Sequence, residues 1–379
     1  MFSCVQQLPW LRFIATFFIA AFITGALLVG LIVVVDPYGL RVRAGDAPQP
    51  IMDINQRFMY PQLARSHRYN AAVFGTSTMR LLDPNELNDL FRNVSGGARD
   101  IRFANLAMNA ATPWEQMQLA QLFMRNNPAP EALIFGLDMT WCDVEADTPA
   151  KQLTFRAFPE RFYDADPLND WGDSLNLKTL EIAFRLISHS LDMQPESLRA
   201  DGYGVFVPPD QFYDAERARE HIWQGKPPVL AEHIPAEQPT PEEQASWRFP
   251  ALAWLDDMLV SVPDSTRVML VFPPIHASTQ PVPGSVAQVR DNACKQQFAE
   301  LAARRNASLI DYRHYSSLTR DDTNYWDPLH YRLPIASRIA RALAATALAE
   351  QDGGKPHPVD DTYSIMQLRR APNPLSSGQ

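Results

Sequence analysis

The sequence is poor in the features that bind nucleic acid, nucleotides or metals. Its 379 residues include 34 Lys and Arg against 43 Asp and Glu, which gives a net charge of −9. Because contacts to phosphates need a basic surface, this balance argues against a nucleic-acid partner. The eight histidines lack the spacing of metal ligands, and no glycine-rich phosphate loop occurs. We therefore expect neither a metal nor a nucleotide cofactor.

Cysteine is also scarce, with three residues in the chain. Cys4 precedes a long apolar segment, whereas Cys142 and Cys294 follow it. An oxidising compartment could join the second and third cysteines in a disulfide. Two separate buried thiols are at least as good an interpretation of the same residues.

Charge is absent from residues 13–35, FIATFFIAAFITGALLVGLIVVV. A stretch of about 23 apolar residues is the length that a helix needs to cross a bilayer core of roughly 30 Å. A cleaved signal peptide has an apolar core of only about 7–15 residues, and no small-x-small cleavage site follows here. The segment predicts an uncleaved transmembrane anchor, with a buried soluble helix as the weaker alternative.

The positive residues around this anchor are nearly balanced. Arg12 lies before it, while Arg41 and Arg43 lie after it beside two aspartates. We expect residues 1–12 to form a short cytoplasmic N-terminus and the chain after Asp36 to be extracytoplasmic. This orientation depends partly on the resemblance described below.

After a Gly- and Pro-containing linker, residues 36–65, short apolar runs alternate with helical stretches. The apolar runs predict five strands: Ala71–Phe74, Ile101–Asn105, Ala132–Gly136, Val268–Phe272 and Ser308–Asp311. The helical stretches are Pro113–Arg125, Val286–Arg305 and Pro334–Glu350. Strands separated by helices pair in parallel through right-handed crossovers. The pattern predicts a three-layer α/β/α domain with a central five-stranded parallel sheet over residues 66–351.

The third and fourth strands are separated by about 130 residues, which is too long for a loop. We expect an inserted cap at about residues 145–250, with a helix near Leu175–Leu191 and a proline-rich part with recurring aromatic residues. We expect residues 352–379 to form a mobile tail.

The first strand ends in Val73-Phe74-Gly75-Thr76-Ser77. A Gly at this point permits a sharp turn. Ser77 could cap the following helix, or it could be a nucleophile held at the edge of the sheet. The second role requires a base elsewhere in the chain.

Asp327-Pro328-Leu329-His330 supplies such a base shortly after the fifth strand. An Asp three residues before a His can bond one imidazole nitrogen and leave the other free to accept a serine proton. Ligands of open parallel sheets bind at the carboxyl ends of the strands, where both segments are expected. The sequence therefore predicts Ser77, Asp327 and His330 as catalytic residues; a surface turn with a local ion pair is the alternative for the last two.

These segments resemble the conserved blocks of the SGNH (GDSL-like) hydrolase superfamily, and within it membrane-anchored proteins that acylate or deacylate cell-surface polysaccharides. Gly75-Thr76-Ser77 is similar to the first block, with Thr in the Asp place. Asn105 to Thr112 is similar to the second, with Ala110 at the Gly whose N–H faces the oxyanion. Gly136-Leu137-Asp138 stands where the third block has Gly-x-Asn, and Asp327 to His330 matches the fifth. The resemblance spans about residues 70 to 345.

The chain departs from that pattern at two oxyanion positions. Ala110 keeps a backbone N–H but lacks the conformational freedom of Gly. An ionised Asp138 cannot donate the hydrogen bond that Asn donates, and it would repel a developing oxyanion. Asp138 could be protonated, could point elsewhere, or could be replaced by the nearby amide of Asn109. The oxyanion residues implied by the resemblance are thus Ser77 and Ala110, with Asn109 or Asp138.

Two further residues are candidates for substrate binding. Arg80, three residues beyond the serine, could reach an anionic substrate, although such an arginine often pairs with a nearby Asp. His276 follows the fourth strand at the same edge of the sheet and could contact substrate or be an ordinary loop histidine.

The resemblance implies a serine esterase or O-acyltransferase at the cell membrane, without cofactor. Its expected substrate is a cell-envelope or exported polysaccharide, and its expected site is extracytoplasmic, or periplasmic in a Gram-negative cell. The alternative is a non-catalytic accessory protein that uses the same fold to bind a glycan or a membrane-bound acyltransferase. The altered oxyanion positions favour the accessory protein, and the intact Ser and Asp-x-x-His favour the enzyme.

Overall fold

The computed structural model describes residues 7–41, 46–94, 100–230, 235, 237–352 and 361–370. Its centre is a six-stranded sheet in the order β2-β1-β3-β4-β5-β6. The strands are β1 Ala71–Phe74, β2 Phe103–Asn105, β3 Ala132–Gly136, β4 Arg267–Phe272, β5 Ser308–Asp311 and β6 Ser364–Gln367. The first five are parallel, and β6 joins β5 antiparallel. The predicted five-strand layout is therefore replaced by a six-stranded, mostly parallel sheet.

The added strand comes from the tail that the sequence predicts to be mobile. Residues 361–370 extend along β5, and Arg369 N–H donates to Ser308 Oγ at 2.9 Å. Short segments with mixed exposure, such as Ser364–Gln367, carry little periodic signal. Residues 353–360 and 371–379 of the same predicted tail lie outside the described residues.

Helices surround this sheet and connect its strands. In chain order they are α1 Gln7–Val35, α2 Gln56–Met59, α3 Pro61–Arg65, α4 Pro84–Val94, α5 Pro113–Asn126, α6 Pro149–Gln152, α7 Trp171–Ser174, α8 Leu177–Ser190, α9 Ala215–Trp223, α10 Pro241–Ser246, α11 Pro250–Val260, α12 Val286–Arg304, α13 Ser317–Arg320 and α14 Leu333–Asp352. The predicted helices correspond to α5, α8, α12 and α14 within two residues at each end.

Alternate residues of each strand divide the core into two layers. Ala72, Phe74, Leu133 and Phe135 face the layer that contains α5, α11 and α12. Their neighbours along the strands, such as Val73 and Ile134, face the layer that contains α4 and α14. Since successive side chains of a strand point to opposite faces, the wholly buried strands of this sheet have helices on both sides.

The segment predicted as a linker, residues 36–65, packs into the core. Tyr38, Ile51, Met59 and Leu63 are buried in the same layer as α5, and α3 contacts α5. The apolar residues of this segment follow neither a helical nor a strand period over enough residues to predict an element. Their burial depends on the surface that α5 offers.

The apolar N-terminal helix extends to Val35 and is long and apolar enough to cross a membrane. Within its span Pro9–Val35, an 18-residue window has a mean hydropathy of 2.8, and little of that window is buried against the rest of the chain. Residues 1–6 of the predicted cytoplasmic N-terminus, including Cys4, lie outside the described residues. The helix ends at Asp36, which has a φ of 49° and whose carboxylate accepts the N–H groups of Leu40 and Arg41.

A disulfide joins Cys142, which follows β3, to Cys294 of α12, with the two Cα atoms 5.8 Å apart. This selects the disulfide from the two interpretations that the sequence leaves open. The bond closes a loop of 152 residues that includes the whole insertion between β3 and β4. Closing so long a loop removes much conformational entropy from the unfolded chain.

We predict that the double substitution Cys142→Ala, Cys294→Ala lowers the free energy of unfolding by about 3–5 kcal/mol, because the unfolded chain regains the entropy of that loop. Urea unfolding of the detergent-solubilised chain, followed by tryptophan fluorescence, measures the change. Reduction of the wild type should give the same midpoint as the variant. An unaltered midpoint in both would contradict the prediction.

Candidate active site

The turn after β1 presents Ser77 at the carboxyl edge of the sheet. Gly75 has a φ of +151°, and a Cβ at this position would lie 2.6 Å from Met79 Cγ. A Cβ on Gly136 at the end of β3 would lie 2.1 Å from the same atom. The Met79 side chain therefore packs between two glycines, which allows the chain to turn sharply just before Ser77.

Asn105 at the end of β2 holds the other side of this turn. Its amide nitrogen donates to the carbonyl oxygens of Met79 and Leu82 at 3.0 and 2.9 Å, and its Oδ1 accepts the N–H of Ala107. The side chain is fully buried. Sequence reasoning placed Asn105 in a motif but gave it no role, because nothing in the sequence shows which carbonyls it reaches.

Two main-chain bonds continue the pairing of β1 and β2 beyond the strands. Leu106 N–H donates to Val73 O at 2.8 Å, and Met108 N–H donates to Gly75 O at 3.0 Å. They bring the loop that contains Asn109 and Ala110 beside the turn that contains Ser77. On the other side, the buried Tyr331 hydroxyl donates to Thr78 O, which joins the turn to the segment after His330.

Ser77, His330 and Asp327 form a continuous chain of hydrogen bonds. Ser77 Oγ lies 2.7 Å from His330 Nε2, and His330 Nδ1 lies 2.7 Å from Asp327 Oδ2. Ser77 is half-buried, so its hydroxyl remains within reach of solvent. With Nδ1 protonated and bonded to the carboxylate, Nε2 can accept the serine proton.

Asp327 is held in its ionised form by the turn in which it lies. Burial would raise the pKa of its carboxyl group, but the bonds from the His330 side chain and from the N–H groups of Leu329 and His330 bring it below the ordinary value. A carboxylate fixed in this way can orient His330 and stabilise an imidazolium.

The main-chain groups predicted to face an oxyanion are available for bonding. Among the described residues, no acceptor bonds the N–H of Ser77 or that of Ala110. Ala110 is exposed and has a φ of 51°, a left-handed conformation that costs a non-glycine residue about 1–2 kcal/mol. Asn109 beside it is half-buried, and its carbonyl accepts a bond from Arg57. The alanine thus adopts the backbone shape that a glycine would have.

Asp138 follows β3 and caps the short 3-10 turn Met139–Cys142. Its Oδ1 accepts the N–H and the hydroxyl of Thr140 at 2.9 and 2.6 Å. Its Oδ2 is shut off from solvent without a hydrogen-bond partner. Burial raises the pKa of this carboxyl group, opposed by the bonds from Thr140 and by the nearby Thr76 hydroxyl. Asp138 thus caps this turn, and its part in an oxyanion site stays a prediction.

Arg80 is a buried cation beside these residues. It is 7% exposed, and its guanidinium lies 4.7 Å from the ring centre of Phe206, which in turn contacts the His330 ring edge-on at 5.0 Å. Its Nε has no hydrogen-bond partner, and neither has Nε of Arg156. Burial lowers the pKa of Arg80, the nearby Tyr60 hydroxyl opposes this shift, and the positive charge of Arg156 lowers the pKa further. No carboxylate among the described residues forms an ion pair with either arginine.

His276 is fully buried, which does not support the predicted contact with substrate. Its Nδ1 lies 2.8 Å from Ser278 Oγ, and its Nε2 lies 3.1 Å from Asp322. Its main-chain N–H donates to Pro328 O at 2.8 Å. In this position the residue supports the turn that holds Asp327 and His330.

The function of this site has to be inferred from its geometry and motifs. No protein-family model and no curated protein matches this chain. Within the described ranges, no group of three or more His, Cys, Asp or Glu side chains could hold a metal ion. The site thus holds a serine, an imidazole and a carboxylate in series, with the buried Arg80 and the half-buried Arg156 nearby.

We predict that Asp138→Asn makes the protein more stable at neutral pH. The pKa of Asp138 is higher in the folded than in the unfolded chain, where it is about 3.9. The unfolded chain therefore ionises first, and the wild type loses stability as the pH rises from about 3.9 through the raised value. An Asn at position 138 would keep the bonds from Thr140 to Oδ1, and an uncharged NH2 group would replace the Oδ2 that has no hydrogen-bond partner. The measurement is the difference in urea midpoint between variant and wild type across pH 4–8, which should grow with pH.

Asp143→Asn is the matched control for this experiment. Although burial opposes it, the bond from Lys151 lowers the pKa of Asp143, so its ionised form stabilises the fold. The Asp143 variant should therefore be less stable than the wild type above the ordinary Asp pKa of about 3.9, and this deficit should stay nearly constant through most of the pH 4–8 range. A difference for Asp138→Asn that does not vary with pH would refute the assignment of an unfavourable buried carboxylate.

Proposed function

We propose that this protein is a membrane-anchored serine esterase or O-acyltransferase of the SGNH type, acting outside the cytoplasm on cell-envelope or exported polysaccharide. The observation that carries the proposal is the hydrogen-bonded series Ser77–His330–Asp327, formed by segments 253 residues apart. An isolated helix cap at Ser77 would not require a histidine supported by a carboxylate. The motif resemblance supports the same class of reaction.

In the proposed reaction, His330 Nε2 takes the Ser77 proton while Oγ attacks an ester carbonyl. The carbonyl oxygen becomes an oxyanion facing the N–H groups of Ser77 and Ala110. As the tetrahedral intermediate collapses, the alcohol leaves with the proton from His330, and the acyl group stays on Ser77. Attack by water then gives an esterase, whereas attack by a sugar hydroxyl gives an acyltransferase. In both cases His330 removes the proton of the attacking group, the bond between the acyl carbon and Ser77 Oγ breaks, and His330 returns the proton to Ser77.

The extracytoplasmic location is supported by two features. The helix α1 carries no charge from residue 13 to residue 35, and the domain that follows contains the Cys142–Cys294 disulfide. Disulfides persist in oxidising compartments and are rare in the cytosol. An anchor of this kind would keep the catalytic domain beside membrane-bound enzymes of polysaccharide synthesis, including an acyltransferase as a partner.

We predict that a fluorophosphonate probe labels the detergent-solubilised full-length chain once, at Ser77, and that Ser77→Ala abolishes the adduct. Substitution His330→Ala should slow labelling by about 10³-fold or more, because the hydroxyl loses its base. Intact-mass measurement against time gives both results. Ser278→Ala is the matched control, since Ser278 also contacts a histidine near an aspartate but should not affect labelling. Absence of an adduct on folded protein would contradict the enzyme.

Arg80 and Arg156 support an anionic substrate for this site. A buried cation without a counter-ion is costly, and an arriving carboxylate, phosphate or sulfate would offset that cost. Arg80 lies on the same aromatic ring that contacts His330, so such a group would bind next to the scissile ester.

We predict that Arg80→Met raises stability by about 1–2 kcal/mol, because an unpaired buried cation is removed, while binding of acidic substrates weakens. Oligogalacturonate should slow fluorophosphonate labelling of the wild type, and the variant should lose this protection. Arg57→Met is the control: Arg57 is equally buried but pairs with Glu115 at 2.5 Å, so its loss should destabilise by about 3–5 kcal/mol. Equal protection of wild type and Arg80→Met would refute the role of Arg80.

A non-catalytic accessory protein is the second candidate. The observation that favours it is Asp138, which places a carboxylate where the family has a hydrogen-bond donor. Such a protein would bind a glycan or a membrane-bound acyltransferase through the same fold. This second function would be favoured if the wild type and Ser77→Ala bound polysaccharide with equal affinity and the fluorophosphonate probe labelled neither.

A further inference from the structure

The helix α8 has apolar side chains on the side that faces away from the core. Thr179, Ile182 and Leu186 of this helix are buried against the domain. Leu177, Phe184 and Leu191 are 85%, 56% and 63% exposed. Residues seven apart lie on one line of a helix, so Leu177 and Phe184 form a stripe along α8, and Leu191 directly after the helix continues it.

The segment before α8 adds further exposed apolar side chains. Leu168, Trp171 and Leu175 are also exposed, Trp171 lying in α7. We call these six residues, 168, 171, 175, 177, 184 and 191, the α7–α8 face. Exposed apolar residues are ordinary when scattered, but a contiguous group of large side chains marks a surface that binds something apolar.

The α7–α8 face lies beside the end of the apolar helix α1. Helix α1 contacts α8, and Ile32 in the last turn of α1 is buried. Thr179 Oγ1 of α8 donates to the hydroxyl of Tyr38, three residues after α1 ends, at 3.2 Å. The guanidinium of Arg41 donates to Ile32 O and lies 5.3 Å from the ring centre of Trp171. These contacts hold the face at the level of the last turn of α1.

The length of α1 places that turn at the boundary of a bilayer. Its span of 27 residues measures about 40 Å, whereas the hydrocarbon core is about 30 Å thick. Tryptophan and arginine are typical of the interface between hydrocarbon and water. We propose that the α7–α8 face inserts into the interfacial layer of the bilayer that α1 crosses, so that the domain is held against the membrane at two places. This inference depends on α1 crossing the membrane and not on the chemistry of Ser77.

Charges near the face are already paired within the protein. Lys178 bonds Asp53 and Glu181, and Arg185 bonds Glu181. Attraction to anionic lipid therefore contributes little, and insertion is driven by apolar burial. Binding should be the same in zwitterionic and in anionic bilayers, which distinguishes this surface from a polybasic one.

The test uses the full-length chain in nanodiscs of zwitterionic phosphatidylcholine. In a Cys4→Ser background, single cysteines at Phe184 or Leu191 carry a nitroxide spin label, and electron paramagnetic resonance measures collisions with oxygen and with a water-soluble nickel chelate. Phe22→Cys in α1 reports on the anchor itself. Leu348→Cys on α14 is the water-exposed control, because α14 packs on the opposite face of the sheet.

We expect the logarithm of the oxygen-to-nickel ratio to be positive at residues 22, 184 and 191 and negative at 348. The values should not change when 30% anionic lipid is added. The proposal would be overturned if labels at 184 and 191 were as accessible to nickel as the label at 348 while the label at 22 lay in lipid. That result would leave the anchor intact. Protection of 184 and 191 from both reagents would also overturn it, since it would show a protein partner on the face. A label at 22 that contacts water would remove the anchor on which the inference depends.

Discussion

The parallel pairing of β1 with β2 and β3 is the constraint on which the candidate site depends. Because these strands run in one direction, the turn after β1, the loop after β2 and the residue after β3 all emerge at one edge. The bonds from Leu106 to Val73 and from Met108 to Gly75 extend that pairing into the loops themselves. Asn105 and Tyr331 then hold the Ser77 turn from two sides, so the serine is positioned by main-chain geometry as much as by its own neighbours.

The candidate site contains two ionisable side chains with buried polar atoms that lack a hydrogen-bond partner. Asp138 has a carboxylate oxygen without a partner, and Arg80 has a guanidinium without a counter-ion. The Arg57–Glu115 pair shows that the fold can satisfy buried charges. Unsatisfied polar groups that persist in an otherwise well-paired interior are typical of positions that meet a ligand or a developing charge.

The insertion between β3 and β4 is attached to the rest of the protein at two places, by a disulfide near its start and by the packing of α8. Cys142 is tied to Cys294 on α12, which fastens the start of the insertion to the sheet layer. Farther along, α8 packs on the last turn of α1 and on Tyr38. The same insertion thus links the sheet, which holds the candidate site, to the apolar helix. This arrangement restricts how the domain can tilt relative to that helix.

The sequence alone was sufficient for the elements whose signal is local. Ala71–Phe74, Ala132–Gly136 and Ser308–Asp311 are strands with the predicted bounds, because each is a short apolar run ended by turn residues. The long apolar helix and the motif residues Ser77, Asp327 and His330 were likewise recognisable from composition and spacing. The contact between Ser77 and His330 was expected from the order of the strands, but its distance was not.

Only the tertiary structure decided the features that depend on distant partners. The Cys142–Cys294 bond, the burial of residues 36–65, the sixth strand and the enclosure of His276 each require surfaces from separate parts of the chain. The same holds for Arg80, because whether a carboxylate lies near its guanidinium depends on all the elements that pack around it. The periodicity of apolar residues indicates which side chains are buried. The residues that they contact depend on packing among elements that lie far apart in sequence.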